Sequence, residues 1–218
     1  MTELRVVDVG RKPYLDVLRL QEEFFNKNIT DKLSGHHTQN FLILCEHEPV
    51  FTLGKSGKRE NILVSDAEMG AEFYRVNRGG DVTFHGYGQL VAYPILDLDL
   101  LKIGLVEYIF LLEETIIESI KNFGLKGERI DGAAGIWLRN PDRKIGAIGV
   151  KASRNITMHG IAVNVNTDLN YFKKIRACGL EGKETTSLEN ELKSAVALTN
   201  YKQNFLSAFG KIFTAVTV

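Results

Sequence analysis

The sequence predicts a mixed α/β fold. Short apolar runs bounded by Gly and Pro fill the middle of the chain, where strands dominate. Three stretches repeat apolar residues at helical spacing, one near the start, one near the centre and one at the end. The composition is that of a globular protein: 218 residues, 44% hydrophobic and 25% charged. Such a chain buries a sizeable core without staples. No repeat, linker or low-complexity tract divides it, so residues 1–218 read as one domain.

Leu4 to Val9 reads as a short strand, broken by Gly10-Arg11-Lys12-Pro13. Pro13 suits a first helical turn. Leu15, Val17, Leu18, Leu20, Phe24 and Phe25 then recur at helical spacing to about Asn28. Ile29 to Asn40 is polar and reads as a loop, with His36 and His37 as solvated residues rather than metal ligands. Phe41 to Cys45 is a continuous apolar run, the mark of a strand buried on both faces. Cys45 is then a buried, inert thiol. Glu46-His47-Glu48-Pro49 is not HExxH, because no second His lies one helical turn on. Val50 to Gly54 resumes a strand. Lys55 to Asn61 is a basic loop, either a solvated surface or a dock for a negatively charged partner. Ser65 to Glu68 reads as the cap and first turn of a short helix stopped by Gly70.

Glu72 to Asn77 and Val91 to Leu96 read as strands. Between them, Arg78 to Leu90 holds four glycines with Arg78, Thr83, His85 and Gln89. Glycines at this density let backbone approach a ligand or take positive φ. Arg78 to Asp81 alone would suit a hairpin turn; the whole stretch exceeds what a turn needs and reads as a binding loop. It matches neither GxGxxG opening a helix nor GxxxxGKS.

Gly104 to Phe123 carries the stripe Leu105, Ile109, Leu112, Ile116, Ile117 and Ile120, a long amphipathic helix ended by Gly124. Gly132 to Leu138 is a turn into a strand, Asn140-Pro141-Asp142 a tight turn, and Lys144 to Val150 the return strand. Ile156 to Asn166 is a further strand, and Asp168 caps a short helical turn. Thr199 to Val216 is a helix burying Phe205, Leu206, Phe209, Ile212 and Phe213.

Twenty-seven basic and 27 acidic residues cancel, which argues against nucleic-acid binding by bulk phosphate attraction. Two distant cysteines form neither a secreted disulfide framework nor a four-cysteine zinc site. No apolar run is long enough to cross a bilayer, and no signal core opens the chain. A reducing, cytoplasmic setting follows.

Cys178 sits in a Gly-flanked, non-periodic segment after Lys173-Lys174-Ile175-Arg176. Nearby cations favour the thiolate that a nucleophile needs, yet a lone Cys is more often structural, and a lysine such as Lys144 before a strand is usually solvated. The combination of motifs points further. Arg78-Gly79-Gly80, Thr83, His85-Gly86, Gly88-Gln89 and Tyr93-Pro94 resemble the signature of the lipoyl(octanoyl) transferases. So do Glu46-His47, Pro49-Val50, Thr52, Gly54, Lys144 to Gly149, His159-Gly160, Asn164, Cys178-Gly179 and Thr186-Ser187-Leu188. Asp81, Phe84 and Tyr87 stand where Gln, Tyr and Pro would be expected.

The resemblance implies a mixed β-sheet flanked by helices, like the catalytic domain of biotin and lipoate ligases. It implies transfer of an octanoyl or lipoyl group from octanoyl-acyl carrier protein to a lysine of lipoyl domains. The acceptors would be 2-oxoacid dehydrogenases and the glycine cleavage H protein, in the first step of endogenous lipoylation. Cys178 would carry the acyl group and Lys144 would lower its pKa. Substrate would contact Arg78, Gly79, Gly80, Asp81, Val82, Thr83, Phe84 and His85, then Ala147, Ile148 and Gly149, then Gly160, Ile161 and Ala162. A thioester is already activated, so the reaction calls for neither a cofactor nor a metal. Three rivals remain: an ATP-dependent lipoate ligase, an amidotransferase between lipoyl-accepting proteins, and an inactive module that holds a lipoyl domain.

Overall fold

The computed structural model describes residues 3–176 and 183–215. Eleven strands lie among the described residues: β1 (Leu4–Lys12), β2 (Asn40–His47), β3 (Val50–Leu53), β4 (Glu72–Arg75), β5 (Val82–His85), β6 (Gln89–Ile95), β7 (Glu128–Ile130), β8 (Ala133–Leu138), β9 (Arg143–Ser153), β10 (Ile156–Asn164) and β11 (Glu184–Thr185). Six α-helices accompany them: α1 (Tyr14–Leu33), α2 (Asp66–Met69), α3 (Leu98–Leu101), α4 (Leu105–Lys121), α5 (Leu188–Leu192) and α6 (Leu198–Ala215).

The large sheet runs β1-β2-β6-β10-β9-β8-β7, with β11 beside β9. It is mixed: β1 and β2 are parallel, as are β9 and β11, and the other pairs are antiparallel. Alternation along β2 explains its continuous apolar run. Leu42 and Leu44 face a core with α4 and α6, while Phe41, Ile43 and Cys45 face a core under α1. A small sheet, β4-β3-β5, has its own core of Phe51, Leu53, Met69, Val82 and Phe84.

Three sequence expectations are corrected. The helix expected to end near Asn28 continues to Leu33. Asn28 is buried and exchanges two hydrogen bonds with the Gln39 backbone (2.7 and 3.0 Å), so its polarity serves packing, and His36 and His37 follow as exposed residues. Arg78 to Leu90 is only partly loop: Val82–His85 pairs with β3, Thr83 opposite Thr52. On α4, Leu105 is exposed, and the buried face runs through Tyr108, Leu112, Thr115, Ile116, Ser119 and Ile120. Ser119 and Thr115 bury because their hydroxyls donate to carbonyls one turn back, and Ser119 also meets the Tyr201 hydroxyl at 2.8 Å.

Candidate active site

A cavity of ≈ 100 Å³ opens where the small sheet meets the α1 side of the large one. His159 has φ 58°, and its N–H goes to Gln21 Oε1 on α1 (3.0 Å). The ladder with β6 is interrupted here: Thr157 donates to the Leu96 carbonyl (3.0 Å), and regular pairing resumes at Ile161. A non-glycine residue at positive φ costs of order 1–3 kcal/mol and persists only where its surroundings impose it. Gly160 follows because a Cβ there would lie 2.4 Å from the Ala92 carbonyl oxygen.

Most of the residues singled out in the sequence meet in this wall. Arg78, Gly80 to Thr83, His85, Ala147 to Gly149, Gly160 to Ala162 and Lys144 all line it. Two do not. Phe84, alternating with Thr83 and His85, points into the small-sheet core and stacks on Tyr171 at 4.2 Å. Gly79 instead donates its N–H to the Val150 carbonyl (2.9 Å), which docks the 78–80 turn on β9. Cys178 lies outside the described residues.

Arg78 holds its own turn. It donates to Thr52 O (2.7 Å), Thr52 Oγ1 (2.9 Å) and Gly79 O (2.9 Å). His85 meets Gln89 Oε1 through Nδ1 at 2.8 Å. Three histidines gather around this end of the cavity. His47, whose ring centroid lies 5.9 Å from that of His85, has its pKa lowered to about 4 by burial. Burial lowers His85 to about 3, aided by His47 and Arg78, and His159 to about 3, aided by Arg78 and Lys151. All three are neutral at pH 7. Tyr14 stacks over His85 at 6.2 Å, and burial pushes its phenol up to about 12.

Lys144 stands at the other end, on β9, with Nζ 5.2 Å from the centroid of the Trp137 ring. Gly135 on β8 gives it room, because a Cβ there would meet Lys144 Cε at 2.7 Å. The segment after residue 182 clamps this end. β11 pairs Thr185 with Lys144, and the Thr186 N–H donates to the Lys144 carbonyl (2.9 Å). Arg143 grips Glu191 with two bonds (2.8 and 3.1 Å). Phe172 and Thr185, from either side of the stretch that holds Cys178, both line the cavity.

Tyr14, Tyr93, His159, Asn164, Phe172 and Thr185 join the wall without having been singled out as site residues. Tyr93, His159 and Asn164 fall within the blocks that carried the resemblance. Tyr14 had no local signal, since it arrives on α1 from the opposite end of the chain.

The family model described as the lipoyl protein ligase A/B catalytic domain matches residues 13–210. An octanoyltransferase of Parabacteroides distasonis is 46% identical over 221 residues, covering 98% of this chain and 100% of the relative. The chain belongs to the octanoyltransferase family. Octanoyltransferases are acyltransferases, and others are similarly close. That of Porphyromonas gingivalis is 48% identical over 99% of this chain, although the chain spans only 45% of that relative's length. The Bacteroides thetaiotaomicron octanoyltransferase is 43% identical, covering 95% of this chain and 94% of the relative. Among solved structures, lipoate-protein ligase A bound with ATP superposes with a TM-score of 0.74 at 14% identity, covering 97% of this chain and 86% of that one. A biotin protein ligase of Aquifex aeolicus gives 0.54 at 10% identity, over 100% of this chain and 72% of that one. At such identities the likeness is one of fold, and it places this octanoyltransferase sheet among those of the lipoate and biotin ligases.

Proposed function

We propose that residues 1–218 form one catalytic unit, working in the cytoplasm, that moves an octanoyl group from acyl carrier protein to a lysine of lipoyl domains through a thioester on Cys178. The cavity wall supports this reading: Lys144 and residues on both sides of the Cys178 stretch line one pocket. An ammonium beside a thiol favours the thiolate. The thiolate attacks the donor's thioester carbonyl, and the carrier's sulfur leaves as a thiolate that takes a proton from solvent. The target lysine's neutral amine then attacks the enzyme thioester and gives its proton to solvent, and the Cys178 thiolate departs as the amide forms. Apolar wall from Tyr93, Ala147 and Ala162 suits the alkyl chain, each buried CH₂ being worth about 0.8 kcal/mol. Acyl transfer should proceed with octanoyl carrier protein and an apo-lipoyl domain alone. Activity only on addition of ATP, Mg²⁺ and lipoate would favour a ligase. Activity only with an acylated lipoyl domain as donor would favour an amidotransferase.

A further inference from the structure

A chain of hydrogen bonds links the cavity wall to the backbone of Lys144, and every link has one possible direction. The Thr186 carbonyl only accepts, so Asn164 turns Nδ2 toward it (3.0 Å) and leaves Oδ1 facing Gln89. Gln89 Nε2 donates to that Oδ1 (2.9 Å) and to the Phe84 carbonyl (3.1 Å). Gln89 Oε1 is therefore the atom that faces His85 Nδ1 at 2.8 Å. An amide oxygen cannot donate, so Nδ1 carries the proton and Nε2 keeps its lone pair. At the far end the Thr186 N–H donates to the Lys144 carbonyl. His85, Gln89 and Asn164 are all buried and all line the cavity.

We propose that Gln89 and Asn164 are positioning residues for acyl transfer: they hold His85 in its Nδ1–H form, with Nε2 as a fixed hydrogen-bond acceptor, and tie it to the segment that pairs with Lys144. A buried network with every member satisfied is rigid, and losing one link strands its neighbours. The kinetic consequence rests on the octanoyl-transfer reading; the protonation pattern of His85 does not.

Long-range ¹H–¹⁵N spectra of the whole protein test the pattern directly. His85 should show a protonated Nδ1 and an unprotonated Nε2. Gln89→Glu places a carboxylate against Nδ1–H and favours the imidazolium. The other groups facing His85 are Tyr14 of α1, His47 of β2, Arg78 before β5 and His159 of β10, and none brings a negative charge at neutral pH. In Gln89→Glu the His85 titration should move up, and kcat should gain an acid limb as Nε2 becomes protonated. Asn164→Asp removes the donor to Thr186 and should lower kcat roughly ten- to a hundredfold by misplacing reacting groups. A merely structural role would lower the melting temperature and leave the His85 spectrum and the pH profile unmoved. An Nε2–H signal in the wild type, or wild-type pH profiles and rates in both variants, would overturn the proposal. Should the wild type transfer no octanoyl group at all, the octanoyl-transfer reading fails, and the His85 spectrum still decides this one.

Discussion

Cys45 is fully buried in β2, with Sγ 3.4 Å from His47 Nε2, and burial drives its thiol far above the ordinary range. A thiol so placed stays protonated. Cys45→Ala should leave octanoyl transfer largely unchanged and cost roughly 1 kcal/mol in urea unfolding for the lost packing. Lys144 offers a sharper test at the same scale. If its ammonium stabilises the Cys178 thiolate, Lys144→Met should shift the alkylation curve of Cys178 with iodoacetamide upward, by roughly one to three pH units. Transfer at neutral pH should fall, and raising the pH should restore part of the acylation. An unchanged alkylation curve in folded Lys144→Met protein would show that Lys144 does not act on the Cys178 thiol. The alkylation curve reads Cys178 alone, since the Cys45 thiol is protonated and shielded.

At the scale of elements, what the sequence disclosed depended on whether its cause was local. The β2 run, the capped turn at Ser65 with its capping box, and the last helix with Phe205, Phe209 and Phe213 were legible because periodicity and caps are local signals. The strand in Val82–His85 was not, because its partner β3 is what makes it a strand. Nor was the inward face of α4, where Ser119 and Thr115 replace the apolar residues that the stripe leads one to expect. The site shows the same division. Glycines marked the 78–80 turn, but Tyr14 reaches the cavity only through packing of α1 on the sheet. β8 and β9 give the test of how closely Lys144 is held. A Cβ at Gly135 would sit 2.4 Å from the Gly146 carbonyl oxygen, on a backbone at φ 102°. Gly135→Ala should therefore destabilise by roughly 1–3 kcal/mol and lower transfer by displacing Lys144. Thermal melts and steady-state rates check both, and wild-type values for both would show that the two strands separate easily.

The whole molecule should respond to acid through its buried histidines. His47, His85 and His159 have folded pKa values near 4, 3 and 3, against an unfolded value of ~6.5. The unfolded chain therefore binds more protons between those limits. Stability is full above about pH 6.5 and is lost as pH falls toward 4, by up to ~1.4 kcal/mol per pH unit for each histidine. Urea midpoints measured from pH 7 to 4.5 should fall steadily, and His47→Gln should flatten the slope by about one proton. A slope unaltered in His47→Gln would mean that His47 takes up its proton over the same pH range in the folded and unfolded states.

Intact mass after mixing with octanoyl carrier protein, with no acceptor present, bears most directly on the proposed chemistry. Wild-type protein should gain one octanoyl group, lose it to hydroxylamine as a thioester does, and pass it to an added lipoyl domain. Cys178→Ala should gain none while melting as the wild type does. An octanoyl adduct on Cys178→Ala, or transfer by that variant at the wild-type rate, would contradict a thioester on Cys178.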